Sequence, residues 1–204
     1  MPVPSRTRQP WPMKWVVLAI ILSLGVYTFL TLRYRKSDRM FRPYQDIRDR
    51  ANVHRLLEAG YQRIALDAEL PADPLSFDST VRTTAAAAGV PSALRETLVE
   101  QPQLPAEILS VSATPAVNAL FAYPIGVKCS LPDNKQQLAG AELYVRGDEL
   151  IVTPEFERLS GGLLARTRER LIRLTVPAGT LKPGSYHITL IGSHSSRAWT
   201  LLVH

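Results

Sequence analysis

The side chains that could bind a metal ion are few and scattered along this sequence. The histidines are His54, His187, His194 and His204. No two of them have the i, i+4 spacing that places two ligands on one helix face, and none has a second type of ligand at a suitable distance. The sequence therefore predicts no metal site and no bound cofactor.

A nucleophilic serine is the second chemistry to consider, because the segment Ser193-His194-Ser195-Ser196 places hydroxyls beside an imidazole. A hydroxyl nucleophile needs an oriented base and an oxyanion hole, and the glycine-flanked serine elbow that supplies both is missing. The segment is interpreted as a solvated turn. Gly161-Gly162 is likewise a turn and not a phosphate cradle, since no G-x-x-x-x-G-K pattern follows.

Paired carboxylates are the third chemistry. Residues two apart on a strand share a face, so Glu155 and Glu157, together with Glu142, are compatible with one acidic cluster on a sheet. Exposed polar decoration explains the same pattern. The single cysteine, Cys129, lies in an alternating apolar segment and is expected to be an inert, buried thiol. The protein is predicted not to be an enzyme.

The most informative element is an uncharged apolar run, WVVLAIILSLGVYTFLTL, from Trp15 to Leu32. As a helix it would be about 27 Å long, close to the hydrocarbon thickness of a bilayer. A retained membrane anchor is the prediction. A cleaved signal peptide would need a shorter core followed by small residues, and a buried core helix would need a polar face.

Basic and aromatic residues bracket this run at the positions expected for the membrane interface. The predicted interface residues are Lys14, Trp15, Arg33, Tyr34, Arg35 and Lys36. Counted literally, the positive charges slightly favour a cytoplasmic C-terminal part, whereas a short tail before a single span is the usual layout when the bulk is exported. We expect the inner (cytoplasmic) membrane, with the C-terminal domain on the periplasmic side.

The net charge of +6 does not indicate a nucleic-acid partner. Residues 1–36 hold six Lys or Arg and no acidic residue, and residues 37–204 hold 18 side chains of each sign. The excess brackets the apolar run, which is explained by contact with anionic lipid headgroups. The lipid bilayer is thus a predicted partner, and nucleic acid is not.

The chain after the run changes character along its length. A helix is expected from Pro43 to Ala59 with Gly60 as its stop, then a short strand over 61–67. From Glu107, short apolar segments alternate with turns at the spacing of an antiparallel sandwich. The predicted organisation is a tail over 1–14, a transmembrane helix over 15–36, a juxtamembrane helix and short strand over 37–67, a Pro/Ala-rich linker over 68–106 and a β-sandwich over 107–204.

One local motif indicates a fold. Pro183 and Gly184 form a turn, and Tyr186 starts the strand that follows. The motif resembles the tyrosine corner of immunoglobulin-like and fibronectin type III-like sandwiches, in which the phenol hydroxyl bonds to an upstream backbone group. The resemblance covers residues 107–204. It departs from antibody domains, because the paired cysteines and the tryptophan between them are missing.

The order of strands and the L-x-P-G-x-Y pattern also resemble exported domains of bacterial membrane-anchored proteins. This implies a mainly β protein on a single-pass anchor. We expect a non-catalytic accessory or assembly subunit that contacts other subunits of a membrane complex. The competing hypothesis is a membrane-tethered module that binds a small ligand or a cell-envelope polymer, for which Tyr123, Tyr144 and Trp199 would form an aromatic face.

Overall fold

The structure is a computed structural model that describes residues 13–34, 43–71, 73, 81–159 and 164–204. It divides into two compact units, Met1–Gln45 and Asp46–His204. The second is called the β unit below. Each unit is described by itself.

The first unit contains helix α1, Met13–Tyr34, whose 22 residues span about 33 Å. Its stretch Met13–Leu30 has a mean hydropathy of 2.0 and no buried residue. The helix is therefore long and apolar enough to cross a membrane. Lys14 and Trp15 lie in its first turn and Arg33 and Tyr34 in its last, whereas residues 35 and 36 of the predicted interface lie outside the described part.

Helix α2, Pro43–Glu58, follows and ends before Gly60, whose φ of 79° is a left-handed value that favours glycine. The helix begins at Pro43, as predicted, and ends one residue before the predicted Ala59. The described chain then has a short helix and ten strands, in the following order: β1 Gln62–Glu69, β2 Thr84–Ala86, α3 Ser92–Thr97, β3 Glu107–Ser112, β4 Ala116–Val117, β5 Tyr123–Ser130, β6 Gln136–Arg146, β7 Glu149–Arg158, β8 Glu169–Val176, β9 Gly184–Leu190 and β10 Ser196–Val203.

The protein is mainly β, as predicted. Its strands form one large sheet in the order β2-β10-β9-β7-β6-β1-β8-β5-β3, with β4 beside β10. Strand β1 joins the two halves, because Gln62–Leu66 pairs with β6 and Asp67–Glu69 pairs with β8. The sheet curls until its ends meet at a bridge between Glu107 and Ser195. This arrangement is compatible with a β-sandwich-like fold.

The sheet is mixed, which differs from the wholly antiparallel prediction. β7 runs parallel to β9, and β4 runs parallel to β10. The other pairs are antiparallel, including the hairpin in which Gly147 and Asp148 connect β6 to β7. Gly147 has a φ of 63°, as the first central residue of a tight hairpin turn requires.

The core lies between the two halves of the curled sheet. It is formed by alternate side chains of the strands, with Ile125, Val127, Leu143, Leu174 and Leu201 among the fully buried ones. A second, smaller cluster covers the opposite face of the sheet, where Leu56 of α2 and Leu94 of α3 pack against Tyr61 and Tyr144.

Residues 68–106 are predicted from sequence to be a linker, but their described part contains strands and a helix. β1 continues to Glu69, β2 pairs with β10, and Leu94 and Leu98 are buried. The proline and alanine content of this region predicts a spacer, but Leu94 and Leu98 pack onto the sheet. Likewise β1, assigned from sequence to a juxtamembrane segment, is a central strand of the β unit.

Pro124 lies within β5, although proline in a sheet is typical of a bulge or an edge position. It pairs with Thr175 of β8 without a register shift. On its other side, the pairing of β3 with β5 stops at Ser112 and Gly126. Pro124 therefore has a strand on one side only, which accommodates its missing N–H.

Candidate functional site

The turn before β9 has the hydrogen bond that the tyrosine-corner motif predicts. The Tyr186 hydroxyl donates to the carbonyl oxygen of Lys182 at 3.0 Å. Pro183 precedes β9, and Gly184 is the first residue of that strand. This bond fixes the loop 177–183 against the sheet.

The same loop supports a neighbouring loop with two exposed apolar side chains. The amide of Gly179 donates to the carbonyl oxygen of Ala119 at 2.8 Å, and the amide of Ala119 donates to the carbonyl oxygen of His204 at 2.9 Å. Beside this anchor, Leu120 is 78% and Phe121 is 69% exposed. We call this pair the apolar tip.

Asn118 shapes the backbone of the apolar tip. Its side-chain oxygen accepts from the amide of Leu120 at 2.9 Å, and its carbonyl oxygen accepts from the amide of Phe121 at 2.9 Å. Side-chain capping of this kind is typical of asparagine in turns. The two large apolar side chains are thus presented to solvent on a hydrogen-bonded loop, as in a protein contact site.

The apolar tip is hard to predict from sequence, because residues 119–131 form an apolar run that resembles one long strand. The available signal was Asn118 followed by two adjacent apolar residues. Adjacent apolar residues break the period of two that a half-buried strand needs.

Ser193 and His194 are exposed, as expected for a solvated turn, but the serines of this turn also form hydrogen bonds that are part of the fold. The Ser193 hydroxyl donates to the carbonyl oxygen of Pro105 at 3.1 Å, and the Ser195 hydroxyl accepts from the amide of Ile108 at 3.1 Å. The amide of His194 donates to the carbonyl oxygen of Ala106 at 2.8 Å. These groups hold the start of β3 against the loop between β9 and β10.

His187 lies apart from these serines, at a cleft of about 190 Å³ on the β unit. Tyr61, Ser92, Arg146 and Glu149 are among the other lining residues. The guanidinium of Arg146 lies 4.7 Å from the centre of the Tyr61 ring and forms a 2.8 Å ion pair with Glu149.

The Tyr61 hydroxyl is buried and has no hydrogen-bond partner among the residues that the structure describes. Burial raises the pKa of Tyr61, and Arg146 opposes that shift. Because solvent does not reach the hydroxyl, a molecule in the cleft would not contact it either. The cleft therefore offers one cation and one anion that already neutralise each other, and it points to no class of ligand.

The predicted carboxylates share one face of the sheet. Glu142 lies opposite Thr153 in the register of β6 and β7, and Glu155 and Glu157 follow on the same face. Glu142 is buried. It accepts hydrogen bonds from the Tyr144 hydroxyl and from Arg63, whose Nε lies 2.7 Å from the Glu142 Oε1 atom.

Glu155 is the second carboxylate of this cluster. Burial and the charge of Glu142 raise the pKa of Glu155, while Arg63 lowers it. Glu157 accepts a hydrogen bond from the Gln137 side chain at 2.8 Å. Since both oxygens of Glu142 are engaged by protein groups, the cluster is explained as a buried ion-pair network.

The three aromatic residues of the ligand-binding hypothesis do not form one face. Tyr123 and Trp199 lie in the core, where the indole N–H donates to the Tyr123 hydroxyl at 3.2 Å. That hydroxyl donates to the carbonyl oxygen of Thr114 at 2.9 Å, and burial raises the Tyr123 pKa to about 12. Tyr144 belongs to the cluster on the opposite face. These three buried side chains therefore do not provide the aromatic face that the competing hypothesis needs.

Cys129 is fully buried in the core, and this burial raises the pKa of its thiol to about 12. The predicted inert thiol is confirmed. Among the described residues, no three His, Cys, Asp or Glu side chains converge as a group of metal ligands. The absence of a metal and of a cofactor stays a prediction.

Comparisons with protein-family models, with curated proteins and with solved structures find no match to this chain. Its function is therefore inferred from its own geometry.

Proposed function

We propose that this protein is a single-pass membrane-anchored, non-catalytic accessory or assembly subunit of a bacterial membrane complex. The observation that carries the proposal is α1, which has no buried residue over Met13–Leu30. A helix that is apolar on every side is expected to be surrounded by lipid or by other apolar helices. The proposed localisation of the protein is the inner membrane, with the β unit on the periplasmic side.

The immunoglobulin-like assignment belongs to the same proposal. It is supported by the Tyr186 hydrogen bond and by the pairing of β3, β5 and β8, which corresponds to the A, B and E strands of that fold. The parallel pairing of β7 with β9 and the insertion of β1 are departures. The proposed relationship is one of architecture and not of common descent.

The apolar tip is the proposed contact with another subunit. Its two side chains are large, exposed and held on a hydrogen-bonded loop, so little conformational entropy is lost when a partner covers them. Anchoring raises the effective concentration of the tip toward other membrane proteins. A contact of modest intrinsic affinity is then sufficient for assembly.

The test is purification of the full chain from membranes in a gentle detergent. We expect a stoichiometric membrane protein to co-purify, and we expect the double variant Leu120→Ser with Phe121→Ser to lose it. The matched control is Leu109→Ser with Leu202→Ser, which removes two other exposed leucines and should keep the partner. A lone monomer, or equal recovery with both double variants, would contradict the proposal.

Sidedness has a separate test. Alkaline phosphatase fused after His204 folds only where disulfides form, so an exported β unit gives an active fusion. We expect activity with the fusion to the full chain. An inactive phosphatase, together with fluorescence of a green fluorescent protein fused at the same position, would place the β unit in the cytoplasm.

A further inference from the structure

A platform of two joined loops lies at one end of the β unit, where β5 and β7 end and β6 and β8 begin. The amide of Leu159 donates to the carbonyl oxygen of Lys135 at 2.7 Å. The amide of Ala165 donates to the carbonyl oxygen of Asn134 at 2.6 Å. The amide of Leu131 donates to the carbonyl oxygen of Arg168 at 3.0 Å. We call residues 131–135, 158–159 and 164–168 the basic platform.

The basic platform carries four exposed cations that have no ion-pair partner among the described residues. They are Lys135, Arg158, Arg166 and Arg168. Among the nearby carboxylates, Glu169 pairs with Lys128 at 2.7 Å, whereas Asp133 accepts from the amide of Lys135 at 2.9 Å and keeps its negative charge. With four cations and one carboxylate, the platform presents an excess of positive charge.

An apolar side chain accompanies these cations. Leu164 is 60% exposed and lies beside Ala165 on the platform. A cluster of Lys and Arg side chains is attracted to anionic lipid headgroups, and an exposed leucine can enter the boundary between headgroups and acyl chains. The combination fits a bilayer surface better than a folded partner's acidic patch.

Within the β unit, the earlier residues of α2 lie closer to the platform's end than its later residues do. Arg55 donates to the carbonyl oxygen of Glu96 at 2.6 Å, and Asn52 accepts from the amide of Val99 at 3.3 Å. The segment from 96 onward then reaches the end of β7, where the amide of Phe156 donates to the carbonyl oxygen of Gln103 at 3.0 Å. Helix α2 runs antiparallel to this segment, so the first residues of the β unit lie on the platform's side of that unit.

We propose that the basic platform docks on the anionic surface of the bilayer, which fixes the orientation of the β unit and leaves the apolar tip at the far end of the sheet. The inference rests on the proposed function, because it requires that α1 holds the chain in a bilayer. The tether makes docking an intramolecular event, so a few charge contacts are sufficient.

The experiment uses the full chain in vesicles of phosphatidylcholine, with or without about one-third phosphatidylglycerol. A fluorescent donor is attached at Thr167→Cys on the platform or, as a control, at Ala178→Cys in the exposed loop before β9. Cys129 is fully buried and stays unlabelled. Energy transfer to a headgroup-linked acceptor reports the distance to the bilayer.

We expect stronger transfer from position 167 in the anionic vesicles than in the neutral ones, and a loss of this difference at about 0.5 M salt. The double variant Arg166→Gln with Arg168→Gln should lower the docking constant about 25-fold, since each cation contributes about fivefold. The charge-matched control, Arg82→Gln with Lys182→Gln, should dock like the parent. Lys135→Gln with Arg158→Gln provides a second platform variant should the first unfold.

Equal transfer from position 167 in both kinds of vesicle, or unchanged docking of both platform variants, would overturn the inference. Flotation of the vesicles separates this failure from failure of the anchor. A chain that floats but does not dock refutes the platform alone, whereas a chain that does not float refutes the proposed function.

Discussion

Two tyrosine hydroxyls of the β unit differ in their hydrogen bonding, and this difference can be measured. Tyr186 donates to Lys182, whereas the buried hydroxyl of Tyr61 has no partner. Tyr186→Phe should lower the free energy of unfolding by about 0.5–1.5 kcal/mol, because one net hydrogen bond is lost. Tyr61→Phe should leave it unchanged or raise it. Urea unfolding of both variants provides the measurement.

Each variant serves as the control for the other, since both remove one phenolic oxygen. If Tyr61→Phe destabilised the protein as much as Tyr186→Phe does, the hydrogen bond would not explain the effect. The tyrosine corner would then lose its structural role.

The raised pKa of Glu155 predicts an unusual dependence of folding stability on pH. Its pKa is raised in the folded state by burial and by Glu142, with a smaller contribution from Glu100. A glutamate carboxyl whose folded pKa lies above its unfolded value of about 4.3 binds the proton better when folded. Stability is then lost as the pH rises from the unfolded pKa through the folded one. This is the reverse of the behaviour of an ion-paired carboxylate.

The substitution Glu155→Gln tests this pH dependence, because it removes the titrating carboxyl group. It should raise the free energy of unfolding relative to the parent at pH 7 and have less effect at pH 4. Urea unfolding at both values of pH gives the comparison. A benefit that is equal at the two values, or larger at pH 4, would contradict the assigned cause.

At the scale of elements, the loop between β9 and β10 closes the curled sheet. A Cβ atom on Gly192 would lie 2.3 Å from the carbonyl oxygen of Ser195 and 3.3 Å from the Cγ1 atom of Ile108. Gly192→Ala should therefore destabilise the protein by about 1–3 kcal/mol, because the loop must move away from β3. Thermal or urea unfolding measures the change.

Gly140 is the matched control for this substitution, since a Cβ atom there meets nothing within 4 Å and its φ is not positive. Gly140→Ala should change the stability by less than about 0.5 kcal/mol. Equal stabilities of the two alanine variants would show that the loop does not close the sheet in the way described.

The elements that sequence predicts well are those with local signals. Alternation located β5 to β10, and Pro43 and Gly60 located the ends of α2. The insertion of β1 between β6 and β8 and the parallel pairing of β7 with β9 are contacts between distant segments. No local pattern encodes them. The apolar tip is hidden because Leu120 and Phe121 lie inside the apolar run 119–131, which resembles a strand and begins directly after the turn residue Asn118.

At the scale of the whole molecule, charge and hydropathy are distributed unevenly along the chain. The first 36 residues hold the positive excess around an uncharged apolar run, and the remaining residues are balanced in total. Within the described part of the β unit, however, cations without an ion-pair partner collect on the platform, and two large apolar side chains are exposed on the tip at the opposite end. This polarity agrees with a protein that contacts a bilayer at one end and a partner at the other.

The central claim is that α1 is a retained membrane span, and extraction of membranes with alkaline carbonate tests it most directly. The full chain should stay in the membrane pellet with its amino terminus intact, as read by mass spectrometry. Leu18→Arg with Leu22→Arg should release it, because two charges within the span oppose insertion. Recovery of the intact parent chain in the carbonate supernatant, or of a chain cleaved after the apolar run, would contradict the account.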